Sequence, residues 1–220
     1  MLPILTDDGS HTLTSETFGV TYHSRFGAVT ESAHVFIGAG LRYKAVQQQQ
    51  IRILETGFGT GLNAFMTWIE AEKRALEVHY CTLELFPVGL DIAQNLNFAA
   101  QMGLPEREED FLHLHHLAWE NTHRLSAHFS LCKKQSPIET FFAPESFDLI
   151  YFDAFSPQAQ PELWTEEVFQ HMYASLASEG ALVTYCAQGE FKRCLKRAGF
   201  EVERLQGPPG KREMTRAVKP

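Results

Sequence analysis

Hydrophobic and polar residues follow different patterns on the two sides of a glutamine run, Gln47 to Gln50. Before the run, "DDGSHTLTSETF" and "YHSRFGAVTESAHVFI" show a β-like alternation interrupted by turn residues, which predicts a β-rich N-terminal extension over residues 1–46. After the run, short apolar segments alternate with amphipathic ones, which is typical of a parallel sheet covered on both faces. We therefore predict an α/β domain over residues 51–220.

Within this domain the apolar segments "IRILET", "VHYCTLEL", "FDLIYFDAF" and "GALVTYCA" predict strands, and "FSLCKK" is a weaker candidate. The helix after the first strand has a single apolar stripe, formed by Leu62, Phe65, Met66 and Ile69. Further helices are expected at "PVGLDIAQNLNFAAQ", opened by Pro87, at "TEEVFQHMYASL", capped by Thr165, and at "EFKRCLKRAGF", closed by Gly199. Part of "FLHLHHLAWENTHRLSAHF" also looks helical.

The end of the chain has a different pattern. "FEVERLQ", "GPPGK" and "REMTRAV" read as a strand, a tight turn and a second strand. A mostly parallel sheet that finishes in an antiparallel hairpin is typical of the methyltransferase version of the doubly wound, Rossmann-like fold. This is the fold class that we predict.

Composition and charge restrict the possible functions. The chain is 44% hydrophobic and 21% charged, which is ordinary for a globular protein and argues against disorder. No apolar run approaches the roughly 20 residues of a membrane span, and no signal peptide is evident, so we expect a cytoplasmic protein. The four cysteines form no CxxC pair, so a zinc site or a disulfide framework is not expected. The net charge of −8 opposes binding to nucleic acid, unless basic residues cluster locally.

The stretch "ETGFGTG" between the first strand and its helix predicts a cofactor site. It contains Glu55 followed by glycines at Gly57, Gly59 and Gly61, whereas a dinucleotide fingerprint needs a glycine in place of Leu62. The pattern resembles the first motif of S-adenosylmethionine-dependent methyltransferases, which implies that Glu55 lies near the methionine end of the cofactor. Glu84 ends the second strand, where its carboxylate can accept both ribose hydroxyls.

The loop after "FDLIYF" carries residues suited to methylating an amine. Asp153 ends this strand and is followed by Phe155, Pro157 and Trp164. A carboxylate that accepts N–H bonds can orient an amine lone pair toward the donor, and aromatic rings can stack on a planar base. Because an unperturbed Asp has a pKa of about 3.9 and is a poor base, we assign Asp153 mainly to orienting the amine.

Several separated motifs resemble one family. "LETGFGTGLNAF", "YFDAFSP…PELWTEEVF", "LVTYCAQGEFKRCLKRAGF" and "GPPGKREMTRAV" are similar to the tRNA 5-methylaminomethyl-2-thiouridine methyltransferases, the stand-alone (MnmD-like) form of the methyltransferase half of bifunctional MnmC. The resemblance implies N-methylation of 5-aminomethyl-2-thiouridine at the tRNA wobble position. It also implies S-adenosylmethionine as cofactor, no FAD or metal, the anticodon stem-loop as partner, and a functional link to the enzymes that install the aminomethyl group.

The resemblance also suggests roles for further residues. Asn63 matches the cofactor motif, Lys211 and Arg212 are candidates for an anticodon phosphate, and Glu213 for the base or its amine. A second set is open between a lid over the site and a structural strand: Tyr22, His23 and Glu31. The residues that contact the adenine are not assigned within 105–145, and the His113, His115 and His116 group is not predicted to bind a metal.

Two other functions remain open at this level. The first is an aminopropyltransferase resembling spermidine synthase, which also orients an amine with an Asp. The second is a non-catalytic protein that keeps the cofactor fold and serves as an interaction partner.

Overall fold

The computed structural model describes all residues from 1 to 220. Two short strands, β1 (Ile4–Leu5) and β2 (His11–Thr12), form a small antiparallel pair. The remaining strands form one eight-stranded sheet. In chain order they are β3 (Gln50–Thr56), β4 (Glu77–Leu83), β5 (Thr122–Arg124), β6 (Phe129–Lys134), β7 (Phe147–Phe152), β8 (Leu176–Thr184), β9 (Glu201–Gln206) and β10 (Glu213–Val218).

The order across the sheet is β5-β6-β4-β3-β7-β8-β10-β9. Strands β6, β4, β3, β7 and β8 run parallel, whereas β5, β10 and β9 pair antiparallel with their neighbours. The predicted mainly parallel sheet with a terminal antiparallel hairpin is therefore confirmed. The chain proceeds from β3 to β4 on one side and reaches β7 on the other, so the carboxyl ends of these strands form the crevice where such sheets bind ligands.

Seven helices surround the sheet. They are α1 (residues 28–45), α2 (Leu62–Arg74), α3 (Leu90–Ala93), α4 (Phe98–Gln101), α5 (Glu108–His116), α6 (Glu166–Ser175) and α7 (Gly189–Arg197). Single 3₁₀ turns occur at Pro105–Arg107 and Pro161–Leu163. The predicted caps are present: the Thr165 hydroxyl accepts from the Val168 amide at 3.3 Å, and Gly199 has φ 105° after α7.

The sheet separates two hydrophobic cores. One contains Ile53 and Phe65, and the other contains Leu54 and Phe169, all of them fully buried. Neighbouring residues of β3 therefore face opposite cores, as expected for a strand covered on both faces. Burying each of these side chains contributes about 1.5–3 kcal/mol relative to leaving it exposed.

The prediction of β structure is wrong for residues 28–45, which form helix α1. Its central part, Ala33–Arg42, is π-helical and packs Phe36 and Leu41 into the first core. Gly40 lets the helix approach the sheet, since a Cβ there would lie 3.0 Å from side-chain atoms of Tyr151 and Val183. Short apolar runs do not separate strand from helix by pattern alone, and packing on the sheet decided the outcome. The division of the chain into residues 1–46 and 51–220 stays a prediction.

The helix predicted for "PVGLDIAQNLNFAAQ" is also partly wrong, because the chain forms the two short helices α3 and α4 there. Asn97 lies at the break. Its side chain donates to the Gly9 carbonyl and accepts from the His11 amide, both at 2.8 Å. These bonds fasten the N-terminal segment and compete with a continuous helix.

Candidate active site

A pocket opens at the carboxyl ends of β3, β4 and β7. Its empty volume is ≈ 1130 Å³, counting the part open to solvent. Five segments line most of it: the glycine turn after β3, the end of β4, residues 136–139 after β6, the loop after β7 and N-terminal residues 15–23. Of the predicted site residues, the pocket brings together Gly57, Gly59, Asn63, Glu84, Asp153 and Phe155.

The glycine turn uses the backbone conformations that only glycine adopts easily. Gly57, Gly59 and Gly61 have φ values of 95°, 51° and 77°. The Gly57 amide donates to the Leu83 carbonyl at 2.9 Å, which ties the turn to the end of β4. Gly61 does not line the pocket; it precedes α2 and directs the N-terminus of that helix toward the sheet edge.

Glu84 is fixed at the pocket wall by two backbone amides. Its Oε2 accepts from the Gly59 amide at 3.0 Å and its Oε1 from the Phe86 amide at 2.8 Å. Each carboxylate oxygen can accept more than one hydrogen bond, so both remain able to bind hydroxyl groups of a ligand.

Glu55 lies beneath the pocket and is fully buried. Its Oε2 accepts from the Thr82 hydroxyl at 2.7 Å. Burial raises the pKa of Glu55 to about 8, against the effect of the Thr82 bond. The Tyr80 hydroxyl and the Asn63 side chain lie next to the Glu55 carboxyl, and their hydrogen bonds also oppose the rise in its pKa. Glu55, Tyr80 and Asn63 thus form a buried polar cluster beneath the pocket, which is suited to a polar or cationic ligand group.

Asp153 is held at the pocket wall by hydrogen bonds. Its backbone amide donates to the Thr56 hydroxyl at 3.2 Å, and its Oδ2 accepts from Asn63 Nδ2 at 2.8 Å. Burial raises the pKa of Asp153 to about 8, and the charge of Glu31 adds to this, whereas the Asn63 bond and Lys211 oppose it. The expectation of an unperturbed Asp is therefore wrong: this carboxyl is a much better base than the sequence indicated.

Aromatic residues from the N-terminal segment close one side of the pocket. The Phe155 ring lies 4.9 Å from the Phe18 ring and 5.0 Å from the Tyr22 ring, centroid to centroid. His23 ring nitrogens lie 3.2 Å from the hydroxyls of Thr12 and Thr60, and burial lowers the pKa of His23 to about 4. A neutral His23 thus ties this segment to the glycine turn.

Comparisons with known proteins identify the family. Residues 112–220 match the model of an S-adenosyl-L-methionine-dependent methyltransferase family. The chain is 34% identical to the tRNA 5-methylaminomethyl-2-thiouridine biosynthesis bifunctional protein MnmC of Cupriavidus metallidurans and 35% identical to that of Cupriavidus necator, over 97% of this chain and 33% of each relative. MnmC2 from Aquifex aeolicus superposes with a TM-score of 0.77 at 26% identity, covering all of this chain and 72% of that one.

The chain belongs to the MnmC-type S-adenosyl-L-methionine-dependent methyltransferases. It spans about a third of the length of the curated MnmC relatives. The fold alone is shared more widely: S-adenosylmethionine-bound CalS10, an amino pentose methyltransferase from Micromonospora echinaspora, has a TM-score of 0.53 at 14% identity, over 89% of this chain and 93% of that one. No helix of the structure has the length and apolar character that crossing a membrane requires.

The pocket of this MnmC-type methyltransferase fits its cofactor. Glu84 offers a fixed carboxylate for hydroxyl groups, and the glycine turn exposes backbone at the helix N-terminus. Asn63 lines the pocket, with the buried Glu55 carboxyl next to it. The residues present therefore match a ligand with a ribose and a cationic end.

Sequence reasoning missed several residues of the pocket. They follow the ends of β3, β4 and β6 or belong to the N-terminal segment: Phe18, Thr60, Phe86, Ser136, Ile138 and Glu139. The rule that loops after parallel strands form the site would have found Phe86 and the 136–139 stretch. Nothing local in the sequence marks Phe18.

Trp164 and Pro157 do not line the pocket. Trp164 is only 7% exposed and packs against Phe152 and Phe191, with ring centroids 5.1 Å away in both cases. Its Nε1 donates to the Phe155 carbonyl at 2.7 Å. Trp164 therefore positions the loop after β7 and does not offer its ring to a base.

The hairpin residues lie beside the pocket, around a shallow depression that Pro157 and Tyr185 also line. Lys211 forms an ion pair with the buried Glu31 carboxylate, and its Nζ lies 3.9 Å from the Tyr185 ring centroid. Glu213 pairs with Lys192 at 2.8 Å, and Arg212 is exposed. Lys211 and Glu213 are thus already engaged, unlike Arg212.

One of the three histidines of α5 supports the glycine turn. His115 Nε2 lies 3.2 Å from the Thr60 carbonyl, and burial lowers the pKa of His115 to about 4. A neutral ring that donates to this carbonyl stabilises the glycine turn from behind. No three His, Cys, Asp or Glu side chains converge where they could hold a metal ion.

Proposed function

We propose that this methyltransferase transfers a methyl group from S-adenosylmethionine to the primary amine of 5-aminomethyl-2-thiouridine at the wobble position of tRNA, which gives 5-methylaminomethyl-2-thiouridine. The names of its MnmC relatives support the choice of pathway. The observation that carries the proposal is Asp153, a carboxylate with a raised pKa at the wall of the cofactor pocket. Such a group can take a proton from an ammonium acceptor and hold the resulting amine, and the names of the relatives favour an amine over a hydroxyl or carbon acceptor.

The cofactor supplies an electrophilic methyl group on a sulfonium centre. We assign the ribose hydroxyls to Glu84, the close backbone approach to Gly57 and Gly59, and the polar floor to Glu55 and Asn63. Gly61 acts indirectly, through the start of α2. The stretch 136–139 after β6 lies where the pocket extends beyond Glu84 and is our candidate for the adenine side.

The acceptor amine arrives mostly as a cation at neutral pH, since alkyl amines have pKa values near that of lysine, about 10.4. Asp153 binds this cation, takes its proton and holds the resulting amine through N–H bonds. Asn63 fixes the Asp153 carboxylate by donating to Oδ2 at 2.8 Å. With a pKa of about 8, Asp153 is a far better match to an amine than an ordinary Asp.

The wobble base is expected to approach from the side of Phe155 and the hairpin. The Phe155 ring, held by Phe18 and Tyr22, offers an edge of the pocket to a planar base. The partners that we propose are the anticodon stem-loop of tRNA and, through the pathway, the enzymes that install the aminomethyl group. We place the reaction in the cytoplasm.

Neither alternative gains support from a specific observation. Membership of the MnmC-type family argues against an aminopropyltransferase. The intact glycine turn, Glu84 and Asp153 argue against a non-catalytic protein, because a relic would have no reason to keep a buried, pKa-raised carboxylate at a cofactor pocket.

The test is mass spectrometry of wobble nucleosides. The protein is incubated with S-adenosylmethionine and tRNA from cells that lack the final methylation. We expect 5-aminomethyl-2-thiouridine to gain about 14 mass units, because one methyl group replaces one hydrogen. A parallel reaction with decarboxylated S-adenosylmethionine and putrescine tests the aminopropyltransferase, and product there without tRNA methylation would overturn the proposal.

A further inference from the structure

Two turns from opposite ends of the chain meet beside the acceptor side of the pocket. One is the turn at residues 24–27, and the other is the hairpin turn at residues 207–212 between β9 and β10. The Phe26 ring lies directly on Gly210: a Cβ added to Gly210 would come within 2.1 Å of the ring. Gly210 also has φ 80°, so both the contact and the backbone require glycine there.

Phe26 is fixed and yet exposed. Phe26 is 52% exposed. Its backbone amide donates to the Ser24 hydroxyl at 3.2 Å, and its ring packs on Gly210 of the hairpin turn. Two other phenylalanines are similarly exposed. Phe86 lines the cofactor pocket, and Phe142 lies near His171 on α6, away from both turns. Phe26 is therefore the exposed aromatic ring at this end of the molecule.

Cations without a carboxylate partner gather around the same turns. The exposed Arg and Lys side chains with no carboxylate within 4.0 Å are Arg25, Lys73, Arg124, Lys196, Arg204 and Arg212. Arg25 precedes Phe26 and Arg212 belongs to the hairpin turn, whereas Arg204 lies within β9 opposite Thr215, on the face of the sheet that carries the second core. The bond from Lys192, with the charges of Arg204 and Arg212, lowers the pKa of Glu213.

Most carboxylates near these turns are engaged by other groups. Glu213 is paired with Lys192, Glu31 is paired with Lys211, and Asp8, which lies against Gly27, accepts from the amide and hydroxyl of Thr30. The exposed Asp7 lies on the segment next to Arg25, where its amide donates to the Arg25 carbonyl, but the two side chains form no ion pair. Arg25 and Arg212 are thus cations without a carboxylate partner beside an exposed ring, in a protein with a net charge of −8.

Side-chain contacts connect this region to the proposed catalytic residue. Lys211, next to Arg212, pairs with Glu31 and lies over the Tyr185 ring. The Tyr185 hydroxyl donates to the Ala154 carbonyl at 2.9 Å, directly after Asp153. A nucleotide bound at the turns is therefore next to the place where a wobble base would enter.

We propose that Phe26 and Arg212 form a platform, here named the tip platform, that binds an unpaired nucleotide of the RNA substrate next to the methylated one. The base stacks on the Phe26 ring, and the Arg212 guanidinium binds a neighbouring phosphate. This inference rests on the proposed function and adds a binding site for a second nucleotide of its tRNA substrate.

The chemistry of the tip platform favours an unpaired nucleotide over other ligands. A base inside a duplex has both faces covered, so it offers no surface to an isolated exposed ring. A base in a loop can stack on an aromatic side chain, which is worth enough to matter in single-strand binding. An acidic peptide would satisfy the arginines but has no planar group for Phe26, and it is an alternative outcome of the test below.

The first test measures binding of a fluorescently labelled, unmodified anticodon stem-loop by anisotropy. We expect Phe26→Ala to weaken binding roughly tenfold, Phe26→Tyr to retain it, and Phe26→Leu to lose nearly as much as Phe26→Ala, because leucine is apolar without a π face. Phe142→Ala, an equally exposed phenylalanine away from the turns, is the matched control and should bind as the wild type does. Affinity for S-adenosylhomocysteine should stay unchanged in every variant.

Three results would overturn the tip platform. They are equal binding by Phe26→Ala and Phe142→Ala, full binding by Phe26→Leu, and competition by an acidic peptide but not by a single-stranded oligonucleotide. The first result would show that Phe26 does not contact the RNA. The second would show that Phe26 contributes without stacking, and the third that the partner is a protein and not RNA.

The second test separates the charges. In a plot of log K against log salt concentration, Arg212→Gln should reduce the slope by roughly 0.7 to 0.9, the loss of one phosphate contact. Lys73→Gln is the control, since Lys73 is equally exposed and unpaired but lies at the far end of α2. Equal slopes for the two variants would contradict the assignment of Arg212.

The two proposals fail in different ways. If the tip platform is wrong, the wild type methylates tRNA while Phe26→Ala binds the stem-loop as well as the wild type does. If the proposed function is wrong, the wild type leaves the wobble amine unmodified, even where Phe26→Ala weakens RNA binding.

Discussion

The two halves of the pocket are built differently. The cofactor half comes mainly from one β-α-β unit, residues 50–86, to which residues 136–139 add the proposed adenine side. It uses backbone amides: Gly59 and Phe86 both donate to Glu84. The acceptor half joins the loop after β7 to the N-terminal segment and the terminal hairpin. It is held by side chains, such as the ion pair between Lys211 and Glu31.

This difference has a physical consequence. Backbone bonds within one unit form as soon as the unit folds, so the cofactor half is pre-organised. Contacts between segments near opposite ends of the chain, such as the ring of Phe26 on Gly210, need the whole domain in place. We therefore expect substitutions in one half to affect mainly the ligand of that half.

The largest effect is expected in the acceptor half. Asp153→Ala removes the group that we assign to deprotonating and orienting the amine, and should lower turnover by roughly 10²–10⁴-fold. Cofactor binding, measured by calorimetry with S-adenosylhomocysteine, should remain near the wild-type value. A variant that loses cofactor affinity as strongly as turnover would erase the distinction between the halves.

In the cofactor half, Gly59→Val should weaken S-adenosylhomocysteine binding by at least roughly tenfold while RNA binding persists. Gly59 has φ 51°, which a β-branched residue adopts only under strain, and its Cβ would lie 3.2 Å from Tyr22 Cδ1. The side chain thus displaces the turn and Tyr22. Gly103→Val is the control, because Gly103 has φ 73° but no atom within 4 Å of its Cβ position. If both variants bind the cofactor equally, the location of the turn in the site is wrong.

A smaller effect concerns stability. Burial raises the pKa of Glu55 to about 8, so ionising Glu55 destabilises the folded state. The contribution is most favourable below the unfolded pKa, near pH 4.5, and is lost as the pH rises toward 8. Glu55→Gln should therefore raise the free energy of unfolding by on the order of 2 kcal/mol at pH 8, with little gain near pH 4.

Denaturant unfolding of the free protein at several pH values measures this gain. The same variant should bind the cofactor more weakly, because an amide cannot ionise beneath the cationic end of the cofactor as the Glu55 carboxyl can. A stabilisation that is independent of pH would show that Glu55 is not buried as a titrating carboxyl.

The smallest effects are opposite shifts in the pH dependence of methyl transfer. The rate should rise with pH as Asp153 loses its proton, with the midpoint near its pKa of about 8. Glu31→Gln removes a negative charge that raises this pKa, so the profile should move to lower pH. Asn63→Leu removes a hydrogen bond that lowers it, so the profile should move to higher pH. Shifts in the same direction would contradict the electrostatic account of Asp153.

The contrast between the halves also explains what the sequence could predict. The cofactor half could be predicted because strand, glycine turn and Glu84 follow one another at fixed spacing. The mainly parallel sheet and its terminal hairpin were also predicted from local patterns, whereas the strand order was not. The raised pKa of Asp153 could not be predicted from the sequence, because it depends on burial and on the charge of Glu31. Glu31 lies on a helix where the sequence pattern had predicted β structure.

Other errors have the same origin. Trp164 was predicted to stack on the base because it follows Asp153 in the chain, but its side chain is buried in the second hydrophobic core. Lys211 looked free because its partner, Glu31, is far away in sequence. Long-range contacts therefore decided the roles that the local pattern left open.

The most direct test of the account is a crystal structure of the protein with S-adenosylhomocysteine. We predict that the ribose hydroxyls bind the Glu84 carboxylate, that the ligand crosses the glycine turn, and that its sulfur faces the Asp153 side of the pocket. A ligand bound away from the carboxyl ends of β3 and β4, or an Asp153 side chain on the opposite side of the loop from that sulfur, would contradict the account.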